Sequence, residues 1–315
     1  MRWVQLGVYS SRFAINCFKT TPENNNLGEV IEPWMYPDAT PLIRAAIKRR
    51  YEMLPYIYSC ALESHATASP PQRWTGWGYE SDPEVWQSRI LKNGETQFWF
   101  GDSLLVGGVF EPGEVKAMMY LPKKSAYNPG YLNLNAPFQY FTAGQWVEID
   151  SRWDANVPVL ARIGGVVPVG KDLQTLSAGE TLNPADLPRD DYRAVEIFPP
   201  PLSAGTTGTY EATWLEDDGV SLAAEPVEFT ISYRCFDALV EVELSRGGSH
   251  YQPVWKEEEL GVILPVGDAH DIVMLNGRKL NIVKTDKRGR KVFHDSAMEK
   301  GNKIPNGANG VNGHH

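Results

Sequence analysis

The sequence predicts a mixed, mostly β protein: a helix–strand segment, then a small β-region, then a larger antiparallel sandwich. Three observations predict it. Only the stretch from Thr40 repeats its apolar residues at helical spacing. Beyond residue 100 the apolar runs are short and punctuated by Gly, Pro and Asn, as in strands and turns. Gly 28 and Pro 23 in 315 residues make a turn-rich composition. With 42% hydrophobic and 22% charged residues, the chain has apolar surface for sizeable cores, which excludes disorder as its main state. At about 100–200 residues per domain, the length suggests two or three domains.

The elements follow in order. The opening ten residues carry one basic residue, Arg2, and no long apolar stretch. They are unlike a secretory signal and read as a structured segment that begins abruptly. Thr40-Pro41 supplies an N-cap and a Pro at the first helical position. Leu42, Ile43, Ala46, Ile47, Tyr51, Leu54 and Ile57 then mark the apolar stripe of the longest helix in the chain, through Leu62. Lys48, Arg49 and Arg50 are expected on its solvent side. Pro55 should kink or divide it, and the small and Pro residues from Ala66 to Pro71 should end it. Thr96–Phe100 and Leu104–Phe110 read as buried strands hinged by Gly101-Asp102. Further strands are expected at Lys116–Leu121, Val157–Ile163 and Gly165–Val169, with no helix of normal length after residue 100. The polar region 177–191 reads as a linker. Evenly spaced strands follow at Ala194–Phe198, Gly208–Leu215, Val227–Cys235, Ala238–Leu244, Leu260–Leu264, Asp271–Leu275 and Arg278–Ile282. Asn276-Gly277 is a two-residue hairpin signal. The Asn/Gly-rich end, 301–315, is expected to be disordered. The units are therefore 1–112, 113–189 with its linker, and 190–300, the latter two as separate antiparallel bodies. There is no internal repeat.

Composition also bounds function. A net charge of −9 argues against a basic nucleic-acid footprint. No apolar run approaches the roughly 18–20 residues of a membrane helix, and nothing favours an anionic membrane surface. Of Cys17, Cys60 and Cys235, one must remain unpaired and none lies in a CxxC, so buried or incidental thiols are expected. The six His form neither HExxH nor a zinc-type Cys/His spacing, and His314-His315 is at most an adventitious metal binder. No metal or cofactor is implied. Glu216-Asp217-Asp218-Gly219 lacks the alternating oxygens of a calcium loop and reads as a solvated hairpin loop. Gly101-Asp102-Ser103-Leu104 matches the GDSL signature of serine esterases, but both flanks read as strand. Asp268 and His270 stand one residue too close for Asp-x-x-His, so a plain strand–turn–strand is favoured. Glycosidase chemistry needs two carboxylates facing each other across a sugar. Glu32, Asp38, Glu80, Asp82 and Asp102 are candidates, and the sequence assembles no two of them. Trp34, Tyr36, Trp74, Trp77, Tyr79 and Trp86 form an aromatic cluster that suits either sugar stacking or packing, the commoner use.

Several of these stretches resemble one family. Arg2-Trp3-Val4-Gln5-Leu6-Gly7-Val8, Ser11-Arg12-Phe13-Ala14-Ile15-Asn16 and Glu32-Pro33-Trp34-Met35-Tyr36 are similar to a late catalytic-barrel segment of glycoside hydrolase family 31, the α-glucosidases and α-xylosidases. The Ile43–Tyr58 helix resembles one of its most recognisable stretches. Gln97–Val106 resembles its last barrel strand, Val157–Pro168 the closing strands of its proximal β-domain, and Glu216–Gly219 its distal-domain hairpin. The resemblance covers about residues 1–245, in order. It implies the C-terminal part of a (β/α)8 barrel followed by two antiparallel β-sandwich domains. It implies retaining hydrolysis of α-glycosidic bonds, with an α-linked oligosaccharide or glycoside as substrate. The family's two catalytic Asp lie upstream of the Arg-Trp-Val-Gln segment, so the chain resembles a C-terminal fragment or truncated gene product, without catalytic residues and with a missing barrel half as its partner. Asn16 and Trp34 are the implied sugar-binding residues. Many members carry His where this chain has Asn16, and Ala14 occupies the place of the family's Arg. The rival reading is a non-catalytic carbohydrate-binding or scaffolding β-protein. Compartment is left open.

Overall fold

The computed structural model describes residues 1–19, 29–124, 130–135, 139–173, 190–204, 208–248 and 250–295. The 177–189 part of the expected linker and the 301–315 tail lie outside the described residues. The chain opens with α1 (Arg2–Gly7), an antiparallel ribbon of β1 (Cys17–Lys19) and β2 (Glu29–Ile31), α2 (Thr40–Glu52) and α3 (Leu54–Thr67). Then come β3 (Gln72–Arg73), α4 (Pro83–Gln87), α5 (Arg89–Asn93), β4 (Gln97–Phe100), β5 (Leu104–Gly107), β6 (Lys116–Leu121), β7 (Tyr131–Asn133), β8 (Gln139–Phe141), β9 (Gln145–Asp150), β10 (Val159–Arg162) and β11 (Val166–Val169). The remainder is β12 (Ala194–Ile197), β13 (Thr209–Glu216), β14 (Val227–Phe236), β15 (Leu239–Arg246), β16 (Gly261–Leu264), β17 (Ile272–Leu275), β18 (Arg278–Thr285) and β19 (Lys291–His294).

The predicted long helix is divided, as Pro55 requires. A Pro inside a continuous helix would lack the N–H and clash with the carbonyl of Tyr51. The chain instead breaks at Met53 (φ −85°, ψ 2°) and restarts, which puts Pro55 in the first turn of α3, where no N–H is needed. The helix stops at Ala68 in the left-handed region (φ 62°). Thr40 is not the N-cap. Its hydroxyl donates backwards, to Pro33 O (2.9 Å) and Tyr36 O (2.8 Å), and Ala39 holds the cap position.

The strand order of a six-stranded antiparallel sheet is β3-β4-β5-β10-β7-β8, and the β6–β9 ribbon covers one face of it. Because strand side chains alternate, each central strand serves two cores. Trp99, Leu105, Tyr131 and Leu160 point to Met119, Leu121, Val147 and Ile149 of the ribbon. Phe100, Leu104, Val106, Val159 and Ala161 point the other way, into one core shared with Met53, Tyr56 and Cys60 of the helices and with the second large sheet. That sheet has nine strands in the order β11-β12-β16-β19-β18-β17-β15-β14-β13. Asn276 (φ 48°) and Gly277 (φ 76°) turn β17 into β18, as the hairpin signal predicts.

Five expectations need correction. The strands of residues 1–112 pair only antiparallel among the described residues, so no parallel strand–helix barrel units assemble there. The stretch Gln97–Val106, expected as a barrel strand, is the β4–β5 hairpin, and a boundary at 112 falls inside the six-stranded sheet. The second and third regions are not separate bodies: β11 pairs with β12 across the expected linker. Nor is the larger sheet purely antiparallel, because β12–β16 and β15–β17 run parallel.

The junction of helices and nine-stranded sheet is ionic. Arg49 on α2 grips Glu196 of β12 with two bonds (2.6 and 2.7 Å) and also reaches Glu52 (2.8 Å). Arg290 binds Glu196, Glu52 (2.6 Å) and Asp286 (2.8 Å), and Arg288 binds Glu52 (2.6 Å). Arg49 was expected in solvent, but these partners let its guanidinium be buried. Burial alone would raise the Glu52 carboxyl. Arg49, Arg290 and Arg288 outweigh it and hold Glu52 well below the usual carboxylate range. Arg50 is likewise turned inward, donating to the carbonyls of Val8 (2.8 Å), Ser10 and Ser11 (3.1 Å).

Candidate functional site

The β1–β2 ribbon places the two sequence-predicted site residues at one end. Cys17 pairs with Ile31, so Asn16 and Glu32 leave the ribbon side by side. Pro33 fixes φ at the start of a 3₁₀ turn, Pro33–Met35, closed by Met35 N–H donating to Glu32 O (3.0 Å). Thr40 ties this turn to the start of α2 through its bond to Pro33 O. The turn carries Trp34 outward at 69% exposure, flanked by exposed Met35 and Tyr36. Asn16 is exposed as well. The arrangement offers a flat aromatic face and an amide with both donor and acceptor, the two contacts a sugar ring accepts.

The rest of the predicted aromatic cluster lies elsewhere. Trp74 lies 4.6 Å from Trp86 between ring centroids, and its indole donates to Leu91 O (2.8 Å). Tyr79 stacks on Trp99 at 5.4 Å and is buried. Trp77 lies against the Arg73 guanidinium at 5.8 Å. Only Trp34 and Tyr36 of the six stand on the ribbon end; Trp74 and Tyr79 are packed, and Trp77 and Trp86 are exposed away from it.

The candidate carboxylates are similarly sorted. Asp82 is buried, caps α4 through Glu84 N–H (3.2 Å), and accepts from Tyr120 Oη (2.9 Å) and Lys123 N–H (3.0 Å). Asp102 pairs with Arg73, and Glu80 accepts from Gly78 N–H (2.9 Å). Glu32 and Asp38 flank Trp34 on the same segment rather than opposing each other from two walls. Ser103 of the GDSL match is buried, and its hydroxyl bonds both the O (2.9 Å) and the N–H (3.1 Å) of Val166. That is a structural pin between β5 and β11, as the strand–turn–strand reading expects. Asp268 and His270 are bonded to each other (2.7 Å) and buried. Among the described residues, no group of three His, Cys, Asp or Glu could hold a metal. Among the described residues no helix is long and apolar enough to cross a membrane.

The acidic turn is the solvated hairpin loop expected at Asp218 and Gly219, which are exposed between β13 and β14, but not at Glu216. Glu216 is buried and accepts four N–H bonds, from Arg193 Nε (2.8 Å) and Nη2 (3.1 Å), Trp214 Nε1 (2.8 Å) and Trp255 Nε1 (2.9 Å). Asp217 accepts from Tyr58 Oη of α3 (2.6 Å). Partial burial and Asp217 push the Tyr58 phenol up to about 12. Sequence reasoning also missed a cleft of about 360 Å³ between α1, α2 and the nine-stranded sheet, which includes neither Asn16 nor Trp34. Its walls come from segments far apart in the chain, so no local signal marks it.

The fold of this mostly β chain is shared with several solved structures. It matches the family 31 dextranase of Flavobacterium johnsoniae, solved with isomaltotriose and with glucose, at TM-score 0.67 and 22% identity, over 93% of this chain and 35% of the other. It matches a family 31 α-xylosidase of Xanthomonas citri at TM-score 0.57 and 21% identity, over 85% of this chain and 26% of that one. Residues 1–60 match the TIM-barrel domain of the glycosyl hydrolases of family 31, and residues 68–167 match the family's C-terminal domain. Neutral α-glucosidase C of Mus musculus is 30% identical over 190 residues, 59% of this chain and 19% of that protein. A probable glucan 1,3-α-glucosidase of Oryza sativa is 28% identical over 222 residues, 70% of this chain and 21% of that protein. The chain belongs to glycoside hydrolase family 31. It spans about a fifth of the length of these two curated relatives.

Proposed function

We propose that this chain forms part of a retaining α-glycosidase of α-glucosidase or α-xylosidase type, supplying one wall of the sugar subsite and the β-structure that buttresses it. The observation that carries the reading is the exposed pair Asn16 and Trp34 at one end of the β1–β2 ribbon, within the stretch matched to the family's barrel domain. On this reading residues 1–67 supply α1, α2, α3 and the β1–β2 ribbon to a (β/α)8 barrel whose parallel strands lie on the partner half. The six-stranded sheet with its β6–β9 ribbon and the nine-stranded sheet are the family's two β-domains, linked by the β10–β11 connection. Trp34 covers the apolar face of a pyranose, and Asn16 hydrogen-bonds its hydroxyls. The substrate is an α-linked oligosaccharide or glycoside.

Retaining hydrolysis requires a carboxylate nucleophile and a carboxylic acid on opposite sides of the glycosidic bond, about 5–5.5 Å apart. We place both on polypeptide preceding Arg2 in the relatives, which makes a barrel half the natural partner. A chain with a sugar wall but neither reacting group has no route to the covalent intermediate. The 315-residue chain is therefore expected to give no turnover of p-nitrophenyl α-glucoside or α-xyloside above background. Isomaltotriose should bind weakly, with the signal lost in Trp34→Ala and reduced in Asn16→Ala. Turnover that disappears in Glu32→Gln or Asp38→Asn would refute the reading. Isomaltotriose binding unchanged in Trp34→Ala would remove the proposed wall.

A further inference from the structure

The cleft between α1, α2 and the nine-stranded sheet is locally positive, on a chain whose net charge is −9. Arg49, Lys287, Arg288 and Arg290 all line it. The carboxylates bound to these arginines are Glu52, Glu196 and Asp286. Four cations against three carboxylates leave one positive charge unmatched. The excess sits at Lys287 and Arg288, both of which are exposed. Lys287 has no ion-pair partner among the described residues. Arg288 gives its Nη1 to Glu52 (2.6 Å), and its Nε and Nη2 meet no acceptor among those residues.

The free donors select the ligand's charged group. With Nη1 occupied, the open side of Arg288 is its Nε–Nη2 edge, a planar fork that fits two oxygens of one oxyanion. Lys287, the preceding residue, adds a point charge with rotatable donors. A fork for two oxygens and an ammonium for a third suit the terminal oxygens of a phosphate monoester, which carries about −1.5 to −2 charge at pH 7. A carboxylate offers fewer oxygens and less charge. The volume shows that more than the phosphate can be received. About 360 Å³, in the range of small-molecule sites, has room for about twelve waters at roughly 30 Å³ each. Partly exposed Tyr9, Leu134 and Val266 give the interior ring and aliphatic surface, and exposed Asn156 gives an amide.

We propose that this cleft is a second binding site, for an organic phosphate monoester of about hexose phosphate size. The phosphate sits at the rim, on the Arg288 fork and the Lys287 ammonium, and the body enters the cleft along Tyr9, Leu134 and Val266. Arg49 and Arg290 stay with their carboxylates. The cleft includes neither Asn16 nor Trp34, so its failure would leave the proposed glycosidase role untouched. The test is calorimetric titration of the 315-residue chain at low ionic strength, where charge pairing is least screened. The probes are glucose 6-phosphate, inorganic phosphate and methyl α-D-glucopyranoside, with amide chemical shifts to locate each.

Saturable binding of glucose 6-phosphate is expected, with shifts at Tyr9, Lys287 and Arg288. Inorganic phosphate, lacking a body, should bind about tenfold more weakly, and methyl α-D-glucopyranoside should not saturate. Lys287→Gln, at an exposed position without an ion-pair partner among the described residues, should weaken glucose 6-phosphate about tenfold at an unchanged melting temperature. That is the effect of losing one charge-assisted hydrogen bond. Arg288→Lys keeps a charge beside Glu52 but removes the fork, and should weaken binding by a similar factor. Ala45→Phe adds a ring from an exposed position of α2 that lines the cleft, and should bring glucose 6-phosphate down to the level of inorganic phosphate. Trp34→Ala should leave binding intact. The proposal is overturned by no saturation with glucose 6-phosphate up to about 10 mM, or by equal affinity for inorganic phosphate or for the neutral glucoside. Affinity unchanged in both Lys287→Gln and Ala45→Phe, or lost in Trp34→Ala but kept in Lys287→Gln, also overturns it.

Discussion

Replacing Glu216 by Gln removes a charge without changing a shape, so its effect isolates what the buried carboxylate does. Oε1 accepts from Arg193 Nε and Trp214 Nε1, and Oε2 accepts from Arg193 Nη2 and Trp255 Nε1. A Gln amide has one oxygen. Whichever way it turns, its NH₂ faces two N–H donors and leaves them unpaired, and Arg193 loses its buried counter-ion. Removing one partner of a buried ion pair costs about 3–5 kcal/mol. Arg193 retains Asp190, at 3.0 and 2.8 Å, and that carboxylate is 66% exposed. The residual pairing puts Glu216→Gln at the low end, about 3 kcal/mol, or roughly a hundredfold in the unfolding equilibrium. Urea unfolding followed by far-UV circular dichroism measures it, with a lower midpoint at unchanged slope. Asp217→Asn is the comparison. It weakens the partly exposed bonds that Asp217 Oδ1 accepts from Tyr58 Oη and Gly219 N–H, and should cost under about 1 kcal/mol. If Glu216→Gln loses less than about 1 kcal/mol, or Asp217→Asn loses as much, the account of the acidic turn as a buried anchor is refuted.

The remaining predictions concern backbone and thiols. Gly101 has φ +57°, and a Cβ there would lie 2.2 Å from Tyr56 Oη and 2.9 Å from Cys60 Sγ. Gly101→Ala should therefore cost at least about 2 kcal/mol, from strain together with overpacking, and lower the melting temperature by several degrees. Gly277→Val at the hairpin tip should cost about 1–2 kcal/mol through its positive φ. Gly248→Ala, which meets nothing and needs no positive φ, should be neutral in the same denaturation experiment. Burial pushes the Cys60 and Cys235 thiols up to about 12, from 9.0. Mass spectrometry after native alkylation at pH 8 should find both unlabelled, and labelled once unfolded. Because the unfolded thiols lose protons near 9 while the folded ones hold them, the stability they contribute is complete below pH 9. It declines as pH rises toward 12.

The strands were legible where alternation is strong. β14 alternates buried and exposed residues over most of its length, and the sequence shows that period directly. β7 and β8 were missed because three residues each, set among Asn, Gly and Thr, give no period to detect. β9 was missed although its residues alternate, and β19 because four residues are too few to establish a period. The pairing of β11 with β12 was hidden for another reason. Each strand reads correctly on its own, but partner choice is settled by packing across the intervening chain, and the polar stretch between them read as a domain boundary. The barrel strand expected at Gln97–Val106 failed because an apolar run with a Gly-Asp hinge suits a buried hairpin as well as a buried parallel strand.

Charged and polar side chains resisted sequence reading most, and in one direction. Arg49 and Glu216 were each assigned to solvent, since an isolated charge in a low-dielectric core is far too unfavourable. That rule holds only for an unpartnered charge. Arg49 meets Glu196, 147 residues further on, and Glu216 meets Trp255, 39 residues on. A side chain whose burial depends on a partner so distant carries no local mark of it. Asn16 and Trp34 illustrate the converse. Both stand exposed, and neither belongs to an apolar stripe, so periodicity had no bearing on them. What singled them out was their place in a resemblance, not a physical signature. A physical reading begins only with the ribbon register, which brings Asn16 beside Glu32 and sets Trp34 on the turn just beyond it. Functional surfaces made of exposed residues are thus found by geometry. Buried polar anchors become legible only when both partners are seen together.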